Sequence, residues 1–136
     1  MAGYSGTPLP KKLGLKENQR VAVINAPADF QRTLGDIPEN VEIVKRLTSP
    51  LDLVMLFVEK EKQLQKQFSG LAARLASSGM IWVAWPKKSS GVATDLDFNR
   101  VQRIGLDRGL VDVKICAIDD TWSGLKFVIR VKDRKK

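Results

Sequence analysis

The sequence predicts a three-layer α/β domain, with a mostly parallel six-stranded sheet closed by an antiparallel hairpin. Three observations carry that expectation. Short apolar runs alternate with segments of helical periodicity, which is the pattern of βαβ units. One run, Leu51-Asp52-Leu53-Val54-Met55-Leu56-Phe57-Val58, is almost continuously apolar, as a central parallel strand covered on both faces requires. The last two runs are separated only by Asp119-Asp120-Thr121-Trp122-Ser123-Gly124, too short for a crossover, so they should pair antiparallel.

The elements follow in order. A short turn of helix over 10–13 precedes a first strand over 20–25, Arg20-Val21-Ala22-Val23-Ile24-Asn25. Pro27 suits the first turn of a brief helix that ends near Gly35. A second strand covers 41–46, and Ser49-Pro50 breaks the chain before the third, over 51–58. A helix over 59–76 presents Leu64, Phe68, Leu71 and Leu75 on one face, and Gly79 lies just past its end. The fourth strand is 80–85, with Trp82 and Trp85 on opposite faces and both in the core. Thr94 with Asp97 three residues on forms a capping box, opening a helix that turns Phe98, Val101 and Ile104 inward. Strands over 111–118 and 125–131 complete the sheet, with Leu53, Leu56, Trp82, Val83, Ile115 and Phe127 expected to be buried.

With 136 residues, 43% of them hydrophobic, the chain can bury one core rather than two. It therefore reads as a single domain over 1–136, with an N-terminal segment 1–19 and a basic tail 133–136. No apolar run reaches the roughly 20 residues that span a bilayer, and the first residues lack the pattern of a secretion signal. One cysteine, Cys116, rules out an internal disulfide and suits a reducing cytoplasm; in its strand it reads as buried, with no cation evident to lower its pKa. Without histidine, zinc sites and serine–histidine or cysteine–histidine catalysis are not expected, and no metal site is assigned. Half of the net charge of +8 lies at the C-terminal end and the rest is scattered, not interleaved with aromatics, so no specific nucleic-acid partner is expected.

The chemistry is less legible than the fold. After the first strand the chain reads Ala26-Pro27-Ala28-Asp29-Phe30, where a nucleotide-binding protein would place glycines to let its backbone approach a phosphate. Twenty positions past Asn25, where an acid would hold a ribose, stand Lys45 and Arg46. No cofactor is therefore assigned.

In an open parallel sheet, ligands bind beyond the carboxyl ends of the strands. Asn25, Lys87, Lys88, Ser89, Ser90, Asp119, Asp120 and Trp122 fall there and form the candidate ligand-binding set, with Tyr4 and Ser5 folding over the same edge. Three readings of the set stand side by side. Lys87 and Lys88 pair with Asp119 and Asp120 and tie two loops together. Alternatively the lysines, the two serines and the helix start near Thr94 hold a small anion, the one partner the sequence suggests. In the third, Asp119 is a general base or shares a divalent metal with Asp120. Trp122, on a turn, is a ligand or partner contact.

From Asp52 onward, the order apolar strand, long helix, Gly79-Met80-Ile81-Trp82-Val83 strand, helix and closing hairpin resembles the C-terminal half of class I S-adenosylmethionine-dependent methyltransferases. That resemblance implies a Rossmann-like sheet of order 2-1-3-4-6-5, abbreviated by one strand and helix after residues 41–46. A second resemblance covers nearly the whole chain. Gly3-Tyr4-Ser5-Gly6-Thr7-Pro8, Asn25-Ala26-Pro27, Trp85-Pro86-Lys87-Lys88, Gly91-Val92-Ala93-Thr94-Asp95-Leu96 and Asp119-Asp120-Thr121-Trp122-Ser123-Gly124 look like a family of small bacterial proteins. That family, domain of unknown function three-zero-five-two, implies a bacterial cytoplasmic protein and no activity. The expected function is a non-catalytic methyltransferase-like binding domain. The alternatives are an enzyme or sensor for a small phosphorylated or carboxylated ligand, and a basic nucleic-acid-associated protein.

Overall fold

A computed structural model describes residues 7–134. The elements are α1 (Leu9–Leu13), β1 (Arg20–Ile24), α2 (Phe30–Leu34), β2 (Glu42–Ile43), β3 (Leu51–Phe57), α3 (Glu61–Ala72), β4 (Leu75–Pro86), α4 (Phe98–Asp107), β5 (Leu110–Ala117) and β6 (Trp122–Ile129). The six strands form one sheet in the expected order, β2-β1-β3-β4-β6-β5. β1 pairs in parallel with β2 and β3, and β3 with β4, while β6 runs antiparallel to both its neighbours.

Alternation along the strands sends side chains into two cores, one on each face. On one face Val54, Leu56, Ile81, Val83, Trp85, Leu125 and Phe127 pack with Leu64, Phe68 and Leu71 of α3 and Val101 and Ile104 of α4. On the other, Leu53, Met55, Phe57 and Trp82 pack with Leu13, Phe30 and Leu34 from α1 and α2. Trp82 and Trp85 thus divide between the faces as their spacing requires. No helix among the described residues is long and apolar enough to cross a membrane.

Several expectations are corrected. The second strand contracts from 41–46 to Glu42–Ile43, because Val44 makes the last link to Val21 and Lys45-Arg46 bend away. α3 stops at Ala72, so Leu75 belongs to the irregular start of β4. Pro27 precedes α2 and only offers its carbonyl to Phe30 N–H, 3.0 Å away. Ile115 is 53% exposed, not buried, because β5 is the edge strand of the sheet. Phe98, expected to face inward, is also exposed at the start of α4.

The capping box resolves differently from its sequence reading. Asp97, not Thr94, is the N-cap of α4, accepting from Arg100 N–H at 2.8 Å. Thr94 Oγ1 instead donates to Glu59 O at 2.6 Å and accepts from Leu96 N–H. Asp95 accepts from Glu61 N–H at 2.7 Å, and Arg100 pairs with Glu61 at 2.6 Å, so the 94–100 segment is fastened to the start of α3. The Glu61 carboxylate, through its hydrogen bond and its charge, holds the Arg100 guanidinium further towards its charged form.

Candidate functional site

The sheet is built outward in two directions from β1, towards β2 on one side and β3 on the other. At the carboxyl end of that junction a cleft of about 300 Å³ opens, lined by Asn25, Pro27, Phe57, Glu59, Gln63 and Trp122. Phe57 ends β3, Gln63 stands in the first turns of α3, and Trp122 begins β6, so three elements converge. This is where an open α/β sheet binds ligands.

Local chemistry fixes each wall. Asn25 takes a left-handed backbone (φ 62°), which asparagine tolerates better than other non-glycine residues. That turn aims its amide across the edge, donating to Phe57 O at 3.2 Å and Gln67 Oε1 at 2.9 Å. Gln63 Oε1 accepts from Glu59 N–H at 3.3 Å. Phe30, Phe57 and Trp122 form a chain of edge-to-face rings, at centroid distances of 5.0 and 5.1 Å. One wall is therefore aromatic, and the other carries the side-chain amides and the Glu59 carboxylate.

Asn25 and Trp122 belong to this cleft, whereas Asp119 and Asp120 line a separate hollow with Thr7, Leu9, Lys12 and Thr33. Lys87 N–H donates to Thr121 O at 2.8 Å, which brings the β4 exit and the β5–β6 turn together. Asp119 Oδ1 accepts from both Thr121 N–H and Trp122 N–H at 2.8 Å, so this carboxylate shapes the turn. Among the described residues, the ion pairs are Arg20–Glu42 and Arg100–Glu61, not a link from Lys87 or Lys88 to Asp119. Ser90 Oγ donates to Lys87 O and accepts from Val92 N–H, closing a tight loop around Lys88 and Ser89, both exposed. The start of α4, expected to add free amides for an anion, carries the Asp97 carboxylate instead. Trp122 is a strand residue facing Pro86, not part of the turn. Tyr4 and Ser5 lie outside the described residues.

Sequence reasoning missed Phe57, Glu59 and Gln63. Their signal was available: Phe57-Val58-Glu59 ends the most apolar strand, and that strand borders the junction where the build-out direction reverses.

The architecture is the class I S-adenosylmethionine-dependent methyltransferase fold. A methyltransferase from Aquifex aeolicus superimposes with a TM-score of 0.58 at 15% identity, over 86% of this chain and 85% of that one. Magnesium protoporphyrin IX methyltransferase from Synechocystis PCC 6803, solved with bound cofactor, gives 0.56 at 11% identity, over 89% and 74%. Fibrillarin from Aeropyrum pernix gives 0.57 at 14%, over 93% and 71%. No family model matches the chain, and no curated protein matches it in sequence.

The residues at the cleft do not fit the cofactor that this fold implies. The turn after β1 presents a proline ring, and Pro27, which has no N–H to donate, lines the cleft itself. Both hydrogen bonds made by the Asn25 amide go to the protein. The carboxylate on β2 is Glu42, at the strand's start and paired with Arg20 at 3.6 Å, while Val44 and Lys45 follow its end. A ribose hydroxyl donor meets no acceptor of the expected kind there.

Proposed function

We propose that this chain is a methyltransferase-fold binding domain that works without S-adenosylmethionine and transfers no methyl group. The observation that carries the reading is Pro27 in the wall of the switch-point cleft, where the fold's cofactor needs a close-approaching backbone and free amides. The cleft suits a small molecule with a flat apolar face against Trp122 and a hydrogen-bond donor towards Glu59. Isothermal calorimetry with S-adenosylmethionine and S-adenosylhomocysteine should give no saturable heat. A micromolar dissociation constant for either would overturn the reading.

A second reading keeps the anion-binding role of the Lys87-Lys88-Ser89-Ser90 loop. The Lys87–Thr121 hydrogen bond supports it by setting that loop beside Trp122. Replacing both lysines with alanine would then abolish stabilisation by small phosphorylated or carboxylated compounds. The single cysteine and the family resemblance support a bacterial, cytoplasmic setting.

A further inference from the structure

A second concave surface lies on the α1 face of the sheet. A groove of about 490 Å³ runs between α1 and β5, lined by Thr7, Lys11, Lys12, Lys114, Ile115, Cys116 and Ala117. Its walls are joined by lysine ammonium groups: Lys12 Nζ donates to Ala117 O at 3.3 Å, and Lys114 Nζ to Lys12 O at 3.2 Å. Lys126 stands directly opposite Lys114 in the β5–β6 ladder, with its Nζ 5.8 Å from the centre of the Trp82 ring. Like charges directly opposite each other weaken a sheet. The ion pairs among the described residues, Arg20–Glu42 and Arg100–Glu61, involve none of these lysines. Burial, then the charges of Lys114 and Lys16, push the Lys126 ammonium towards deprotonation, and the one opposing influence is Cys116.

We propose that the groove between α1 and β5 binds a compact phosphate-bearing polyanion, such as an oligophosphate, whose charge offsets the clustered ammonium groups of Lys11, Lys12, Lys114 and Lys126. Lys11 and Lys12 of α1 and Lys114 of β5 line the hollow from two sides, and Lys126 of β6 stands opposite Lys114, so the charges are clustered rather than set along a stripe. That arrangement favours several phosphates on a small molecule over a stretched nucleic-acid backbone. Among the described residues the ring nearest these lysines, Trp82 under Lys126, is fully buried and offers no stacking platform for bases. This groove is separate from the Asn25–Trp122 cleft and from the Lys87–Ser90 loop, and neither reading under the proposed function bears on it.

The probes are inorganic tripolyphosphate, orthophosphate, and single-stranded and duplex oligonucleotides, followed by calorimetry and thermal unfolding. Tripolyphosphate should bind with one-to-one stoichiometry and raise Tm, and orthophosphate should do so far less. Lys114→Gln and Lys126→Gln should each weaken binding by about tenfold, as expected for loss of a charge-assisted contact. The double variant should unfold no earlier than the parent without ligand, since it removes repulsion. Lys62→Gln with Lys66→Gln, both exposed on α3, should leave tripolyphosphate binding unchanged. The proposal is overturned if tripolyphosphate does not bind, or if the Lys114 and Lys126 variants bind it as the parent does. It is also overturned if affinity grows with oligonucleotide length, which would mark a nucleic-acid surface instead.

Discussion

The indole N–H of Trp82, in the middle of the sheet, donates to the carbonyl of Leu13 at the end of α1, 2.8 Å away. Trp82 is fully buried, and the bond joins residues 69 positions apart, so it fixes where the N-terminal helix sits against the sheet. Burying a tryptophan normally requires a partner for its N–H, and here the partner is a helix-terminal carbonyl that would otherwise be orphaned.

Trp82→Phe leaves that carbonyl without its donor while keeping an aromatic ring in the core. The expected cost is about 1–3 kcal/mol, the penalty of an unsatisfied buried group. Hydrogen exchange should quicken in residues 9–15 before it changes in β3. Unchanged stability with unchanged protection of α1 would show that the bond does not anchor the helix.

Gly105 and Phe127 mark the closest approach of α4 to the sheet. A Cβ added at Gly105 would stand 2.0 Å from Phe127 Cε1, and the ring cannot retreat because Phe68 packs edge-to-face against it at 5.5 Å. Gly105→Ala should therefore destabilise by about 1–3 kcal/mol, although alanine is the better helix former. Adding Phe127→Leu should recover part of the loss, and a double-mutant cycle in urea should show coupling between the positions. Strict additivity would mean that the helix slides instead of clashing.

The sheet was legible because its strands are marked by composition: β3 is apolar throughout, and β4 splits Trp82 and Trp85 between faces. What was misread depends on neighbours distant in sequence. Ile115 has the pattern of a core residue, but its exposure is set by the position of β5 at the edge, which no local pattern encodes. Thr94 has cap chemistry and spends it on Glu59, a residue 35 positions away. Of the candidate set, Asn25 and Trp122 line the switch-point cleft, Trp122 from a strand rather than the expected turn; Glu59 and Gln63 reach it from the start of α3, a neighbourhood that no local pattern encodes.

The two cap-like residues before α4 separate by substitution. Asp97→Ala removes the acceptor for Arg100 N–H and should cost about 1 kcal/mol, whereas Asp97→Asn should be nearly neutral, since asparagine caps as well. Thr94→Ala should cost about 0.5–1.5 kcal/mol by releasing Glu59 O. The diagnostic difference is local: Asp97→Ala should loosen α4, and Thr94→Ala the junction of β3 with α3, as read by amide exchange. The same pattern for both would contradict this division of labour.

Cys116 and Lys126, both beside the lysine groove, should make stability depend on alkaline pH with opposite signs. Burial holds the Cys116 thiol above its ordinary value of 9.0, outweighing the pull of Lys12, Lys114 and Lys126. The native state therefore keeps that proton where the unfolded chain has lost it. Its stabilising contribution is complete below pH 9.0 and disappears as pH rises through the folded value. Lys126 behaves in reverse: its ammonium is disfavoured in the fold, so the penalty stands at neutral pH and is relieved as pH climbs towards 10.5. In Cys116→Ser, stability contributed by this pair should rise on approaching pH 10.5. In Lys126→Met, it should fall from pH 9.0 upward. Alkylation of native Cys116 by iodoacetamide should reach half its limiting rate above pH 9.0, later than in urea-unfolded protein, because only the thiolate reacts. A native midpoint at or below 9.0 would show that the lysines, not burial, govern the thiol.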